Sequence, residues 1–173
     1  SLFDFLPDPV TGLRSIRGLE NRMAGSHQVQ NACLAAAAAQ LLGASEEAIR
    51  CGIQKTRLPA RSEVIPGEPT VVLDGAHNPD KARALQNVLN LQSEGKLFFI
   101  LGILGDKDAE ALCQVLLPGS AGVFATRPTN PPRPACLLPR LAEIVRHHAP
   151  IRGIFLDPMD ALKVALREAH PQD

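Results

Sequence analysis

Short apolar runs alternate with longer segments of helical periodicity along the second half of the chain. The pattern predicts four strand–helix units. The strands are predicted at residues 70–73, 97–103, 122–125 and 153–156, and the helices at about 78–91, 107–116, 137–147 and 158–169. The strand at residues 97–103 is continuously apolar, and we expect the first two strands both to be buried. Repeated units of this kind require right-handed crossovers, which predicts a doubly wound α/β fold with a mainly parallel, Rossmann-like sheet.

The first half of the chain is predicted to be mainly helical. Residues 28–42 are rich in alanine and other strong helix formers, and Gly43 follows as a suitable C-terminal cap. Ser45, followed by two glutamates, predicts the start of a second helix that runs to about Lys55. The two helices should form a hairpin. Residues 1–24 follow neither a helical nor a strand period and are expected to be irregular.

Composition argues against nucleic acid and membrane partners. The 18 Lys and Arg residues balance 18 Asp and Glu residues, and Trp and Tyr are absent, so neither a basic surface nor base-stacking aromatic residues are available. No apolar run approaches the roughly 20 residues that span a bilayer. The four cysteines are far apart, without metal-binding spacing, and are interpreted as buried thiols in helices. Together with the absence of a signal peptide and of N-glycosylation sites, they favour the cytoplasm.

Polar residues follow three of the predicted strands, where ligands bind in open parallel sheets. Asp74 and His77 come after the first strand and are the strongest pair of candidates for ligand binding. The other candidates are Asp106 and Lys107 after the second strand, and Thr126, Arg127 and Arg133 after the third. We expect these strand ends to converge on one crevice.

Structural roles compete with functional ones at each candidate. Asp74 is also typical of a turn, and an isolated His77 is more often exposed or capping than catalytic. Asp106 is most simply the N-cap of the next helix, with Lys107 solvated beside it. The phosphate-binding P-loop and the dinucleotide-binding glycine motif are both absent. Residue patterns alone therefore predict an α/β domain that serves either as an enzyme domain or as a binding module.

Four ordered motifs between residues 25 and 133 resemble the folylpolyglutamate synthase and dihydrofolate synthase branch of the Mur ligase family. They are GSHQVQNA at 25–32, LPARSE at 58–63, DGAHNP at 74–79 and GDKD at 105–108. The second departs from the family pattern because Ala60 replaces a glycine. The resemblance implies that residues 1–56 are the end of a central ATPase domain. Residues 57–173 would be the C-terminal domain, possibly lacking its last strand.

The resemblance also implies an activity and a set of site residues. Such enzymes use ATP and Mg²⁺ to form an acyl phosphate, which the amine of glutamate attacks to extend a folate or a pteroate. By the same resemblance, Asn31 would contact adenine, Arg61 the phosphates and Asp74 the ribose. His77 would place glutamate or the γ-phosphate as the catalytic residue, while Lys107 and Arg133 would bind substrate carboxylates.

The start of the chain indicates that it is part of a longer protein. The first residues lack an initiator methionine, so the chain is interpreted as a fragment that is inactive alone and comes from a monomeric enzyme. No metal ligands are assigned to it, because those of the family belong to an upstream domain. Two alternatives stay open at this point: another Mur-type or cyanophycin-type amino-acid ligase, and a binding module without catalysis.

Overall fold

The computed structural model describes residues 1–92 and 95–173, which divide into two compact units. The first unit comprises Ser1–Glu63 and the second Val64–Asp173. Each unit has its own cluster of buried apolar side chains, and the second contains the larger cluster. The units are therefore described separately.

The first unit opens with a pair of strands where the sequence predicted irregular structure. Strand β1 (Leu2–Phe5) pairs antiparallel with β2 (Ile16–Glu20), and a short 3₁₀ helix (Pro9–Thr11) lies between them. The prediction was wrong because the strands are short and their few apolar residues do not form a long alternating pattern. Phe5, Ile16 and Leu19 are nevertheless buried against the helices of the same unit.

Two helices complete the first unit and confirm the predicted elements. Helix α1 (Ser26–Leu41) buries Gln28, Ala32 and Ala36, which are spaced by four residues and so share one face. Gly43 follows it with a φ of 80°, the left-handed conformation expected of a C-terminal cap. Helix α2 (Glu46–Lys55) begins after Ser45, whose side chain accepts a hydrogen bond from the Ala48 amide.

The second unit contains a parallel sheet of three strands with helices on both faces, which confirms the doubly wound α/β class. The strands lie in the order β5 (Phe98–Leu101), β6 (Gly122–Ala125) and β7 (Ile151–Ile154). The helices are α3 (Pro79–Gln92), α4 (Ala109–Leu116), α5 (Leu138–Arg146) and α6 (Pro158–Glu168). Strand β7 begins two residues earlier than predicted, because Ile151 already pairs with Val123.

Alternating side chains of β6 divide the core of the second unit between the two faces of the sheet. Val123 and Ala125 belong to the main cluster, which includes buried residues of α3, α4 and α5. Phe124 points to the opposite face, where it packs with Ala161 and Ala165 of α6. All four residues of β6 are buried, as expected for the central strand of a doubly covered sheet.

The first predicted strand of the second unit does not join this sheet. Strand β4 (Val71–Leu73) instead pairs with β3 (Glu63–Ile65) in a separate two-stranded sheet. The expected burial of β4 was also wrong, because Leu73 is 43% exposed. A three-residue apolar run carries no information about its pairing partner, so hydropathy alone could not separate it from the main sheet.

Asp173 connects the start of β4 with the segment that precedes β5. Its carbonyl oxygen accepts a hydrogen bond from the Thr70 amide at 3.3 Å, and its carboxylate accepts one from the Lys96 amide at 3.0 Å. A further bond from the His170 amide, together with the one from Lys96, lowers the pKa of the Asp173 carboxyl group below its ordinary value. These contacts hold β4 near the main sheet, although β4 forms no strand pairing with β5.

Candidate functional site

The loop between β4 and α3 is shaped by two side chains that bind backbone amides. The Asp74 carboxylate accepts a hydrogen bond from the Ala76 amide at 2.6 Å. Asn78 caps α3 by accepting from the Lys81 amide at 2.9 Å, and Pro79 is the first residue of the helix. Asn78 is therefore the N-cap of α3. It also fixes the direction in which the loop enters the helix.

His77 lies in this loop with hydrogen-bond partners at both ring nitrogens. Nδ1 is 2.8 Å from the carbonyl oxygen of Gly75, and Nε2 is 3.2 Å from Nζ of Lys81. His77 is half-buried, whereas Lys81 is exposed. Sequence reasoning missed Lys81, although its position four residues after His77 is the spacing at which side chains meet along a helix.

A cluster of charges joins the loops that follow β5 and β6. The Asp106 carboxylate binds the Arg133 guanidinium and lies 3.5 Å from Nζ of Lys107. The expected N-cap role of Asp106 is therefore wrong, since Asp108 caps α4 by accepting from the Ala111 amide at 3.0 Å. The expectation that Lys107 is solvated is also wrong, because its side chain is only 25% exposed. Sequence spacing could not show the ion pair, which spans 27 residues.

Backbone contacts hold the same two loops together beside the charge cluster. The Gly105 amide donates to the Pro134 carbonyl oxygen at 2.8 Å, and the Cys136 amide donates to that of Ile103 at 2.8 Å. A β-carbon on Gly105 would lie 3.2 Å from the Pro134 oxygen, so the close approach favours glycine here. Arg133 is thereby positioned next to the end of β5.

Thr126 directly follows β6 and has a buried hydroxyl group. Its amide donates to the Leu101 carbonyl oxygen at 2.8 Å, and the residue is 3% exposed. Within residues 1–92 and 95–173, its Oγ1 atom has no hydrogen-bond partner. The neighbouring Arg127 is exposed at the same edge of the sheet. A polar strand end is thus present after β6 as well as after β5.

Two further candidates, Asn31 and Arg61, belong to the first unit. Asn31 is exposed on α1, where its Nδ2 atom donates to Oε1 of Gln28 at 3.2 Å. Arg61 is also exposed and lies between Ala60 and Ser62, whose φ angles are 52° and 47°. Ala60 therefore adopts the left-handed conformation for which glycine is the usual residue. The backbone conformation is compatible with the glycine of the family motif despite the substitution.

Clusters of metal-binding side chains and membrane-spanning helices are both absent from the part of the chain that the structure describes. In that part, no three His, Cys, Asp or Glu side chains lie close enough together to form a metal site. None of its helices has the length and apolar character needed to cross a membrane.

Comparison with known proteins yields a family match and several related structures. A family model described as the Mur ligase glutamate ligase domain matches residues 60–173. The dihydrofolate synthase/folylpolyglutamate synthase of Mycobacterium tuberculosis is 35% identical over 115 residues, which are 62% of this chain and 24% of that protein. The chain thus spans about a quarter of this curated relative.

Solved structures extend the likeness to both units. The M. tuberculosis folylpolyglutamate synthase complexed with ADP and AMPPCP matches with a TM-score of 0.78 and 31% identity, covering 88% of this chain and 36% of that one. A bifunctional folylpolyglutamate synthase/dihydrofolate synthase with Mn, AMPPNP and L-glutamate bound gives a TM-score of 0.73 and 30% identity, covering 94% and 38%. The family match covers well over half of the sequence, and the chain therefore belongs to the Mur ligase family, through its glutamate ligase domain.

Proposed function

We propose that the chain forms part of an ATP-dependent ligase that adds glutamate to a folate or to dihydropteroate. The observation that carries the proposal is the match to folylpolyglutamate synthase structures that hold ADP and AMPPCP, or Mn, AMPPNP and L-glutamate. The substrate carboxylate would be converted to an acyl phosphate. The amine of glutamate would then displace phosphate and form the amide bond.

Three residues are proposed to contact the nucleotide. The Arg61 guanidinium is exposed and can donate two parallel hydrogen bonds to phosphate oxygens. The Asp74 carboxylate is half-buried in a capped loop, where it can accept hydrogen bonds from ribose hydroxyls. The exposed Asn31 side chain has both a donor and an acceptor for the edge of adenine. Residues 1–56, which include Asn31, are proposed to be the end of an ATPase domain.

His77, Lys107 and Arg133 are proposed to act on the substrates. His77 would place the incoming glutamate as the catalytic residue of the loop before α3. Lys107 and Arg133 would bind substrate carboxylates, and their shared contact with Asp106 keeps the two cations close together. Mg²⁺ is proposed to be bound by residues of an upstream domain, as the resemblance to the family implies.

The proposed setting is a monomeric enzyme of the cytoplasm. All four cysteines are free thiols, which is compatible with a reducing compartment. The proposed partners are ATP, glutamate and a folate or pteroate. The balance of 18 basic and 18 acidic residues gives no support to a nucleic acid partner.

A ligation assay tests the proposed function. The complete gene product that carries this chain would be incubated with ATP and Mg²⁺, with either dihydropteroate or a folate monoglutamate as acceptor. Glutamate, aspartate and lysine would be compared as the incoming amino acid. We expect glutamate-dependent ADP release and an acceptor extended by one glutamyl residue in the mass spectrum. Turnover with lysine but not with glutamate, or no ADP release with either acceptor, would contradict the proposal.

A further inference from the structure

Lys81 lies one helical turn after His77 and contacts the ring nitrogen that does not face the backbone. We propose that Lys81 is a positioning residue that holds His77 in the tautomer with the proton on Nδ1 and the lone pair on Nε2. The role of His77 in the ligase rests on the proposed function. The proton placement itself rests only on the geometry of this loop.

Both contacts of the His77 ring require the same proton placement. A carbonyl oxygen can only accept a hydrogen bond, so Nδ1 must carry the proton that reaches Gly75 at 2.8 Å. A lysine ammonium can only donate, so Nε2 must present its lone pair to Lys81 at 3.2 Å. Water at Nε2 could either donate or accept. The Gly75 carbonyl and Lys81 therefore favour the same tautomer, and replacing Lys81 removes one of the two contacts that favour it.

Neighbouring contacts keep the Lys81 side chain available for His77. The Lys81 amide is bound by Asn78, so the residue that caps α3 also fixes the backbone from which the lysine reaches back. The adjacent Asp80 carboxylate accepts a hydrogen bond from Arg83 at 2.5 Å. The acidic group that could compete for the lysine at this helix end is thus already paired with an arginine.

The tautomer decides which substrate atom His77 can contact through Nε2. With its lone pair on Nε2, the ring can accept a hydrogen bond from the N–H of an incoming amine when that amine takes the place of the Lys81 ammonium at Nε2. It cannot donate to an oxygen of the γ-phosphate. The two roles considered for His77, placing glutamate or placing the γ-phosphate, are therefore not equivalent. The geometry points to the amino group of the amino acid.

Nuclear magnetic resonance tests the proton placement without requiring catalysis. The ring nitrogens of His77 would be assigned in the ¹⁵N-labelled chain with a His77→Gln sample and read at the high-pH plateau of a titration. We expect Nδ1–H in the wild type and in Lys81→Arg, and a mixture containing Nε2–H in Lys81→Met. Lys163→Met is the matched control, because Lys163 also lies in a helix of the second unit and pairs with a side chain of that helix, Asp160, at 2.9 Å.

Two spectral outcomes would overturn the proposal. One is a wild-type ring that carries its proton on Nε2. The other is a Lys81→Met spectrum in which His77 is identical to the wild type. Unchanged chemical shifts outside the β4–α3 loop in each variant would show that the fold is retained.

Steady-state kinetics of the complete gene product supply a second readout. We expect Lys81→Met to raise KM for the incoming amino acid about three- to tenfold, to leave KM for ATP within about twofold, and to be rescued largely by Lys81→Arg. An effect confined to ATP would contradict the assignment of Nε2 to the amine. If the wild type has no ligase activity, the proposed function fails, while the tautomer assignment is still decided by the spectra.

Discussion

Ala60 adopts a φ of 52°, a backbone region that is unfavourable for every residue with a β-carbon. Replacing it with glycine removes that cost, although glycine also gains entropy in the unfolded chain. We predict that Ala60→Gly raises the free energy of unfolding by about 0.5–1 kcal/mol. Urea denaturation of the chain would measure the change.

The matched control for Ala60 is an exposed alanine in a regular helix of the same unit. Ala35 in α1 meets this condition, and Ala35→Gly should lower the free energy of unfolding by about 1 kcal/mol. We therefore expect the free energy of unfolding to change in opposite directions at the two positions. A loss of stability at both would mean that Ala60 is not strained.

Residues whose partners are close in sequence were the most predictable. The capping roles of Ser45 and Asn78 follow from local patterns, because each contacts an amide three residues ahead. The pairing of Asp106 with Arg133 joins positions 27 residues apart and depends on how two loops meet. The sequence identified Asp106 as a polar residue after a strand. It could not show that its carboxylate lies between Lys107 and Arg133.

At the scale of single elements, the start of α4 distinguishes two neighbouring carboxylates. Asp108 accepts a hydrogen bond from the Ala111 amide, whereas Asp106 forms an exposed ion pair. We predict that Asp108→Ala lowers the free energy of unfolding by about 1 kcal/mol, the usual effect of removing an N-cap. Asp106→Ala should lower the free energy of unfolding by a smaller amount, at most about 0.5 kcal/mol, since exposed ion pairs contribute little to stability.

Thermal or urea unfolding of both variants would check this assignment of the cap. Amide exchange in the first turn of α4 should accelerate in Asp108→Ala and not in Asp106→Ala. If Asp106→Ala lowered the stability more than Asp108→Ala, Asp106 and not Asp108 would be the N-cap of α4.

Elements were predicted well where length and periodicity agreed. The four helices of the second unit and strand β6 were found near their predicted bounds, because each combines a clear pattern with turn residues on both sides. Strands β1, β2 and β4 have only three to five residues, and their partners are set by contacts outside the strand itself. Cys136 was expected in a helix and instead lies before α5, in the segment bonded to Ile103.

At the scale of the molecule, the described residues form two compact units, each with its own candidate residues. Asn31 and Arg61 belong to the unit that ends at Glu63, and Asp74 belongs to the unit that begins at Val64. The family resemblance implied a domain boundary after residue 56, which stays a prediction, whereas the two compact units divide after Glu63. Hydropathy could not reveal that residues 57–63 remain with the first unit, since that assignment depends on three-dimensional contacts.

The value of kcat/KM for ATP in the complete gene product tests whether Arg61 and Asp74 bind the nucleotide. Variants Arg61→Ala and Asp74→Asn would be compared with Glu47→Ala and Glu143→Ala, which alter one exposed acidic residue in each unit. Each charge-assisted hydrogen bond is worth roughly 1.5–3 kcal/mol, so we predict losses of about ten- to a hundredfold for the first pair and wild-type values for the second. Wild-type kinetics in both Arg61→Ala and Asp74→Asn would contradict the claim that these residues bind the nucleotide.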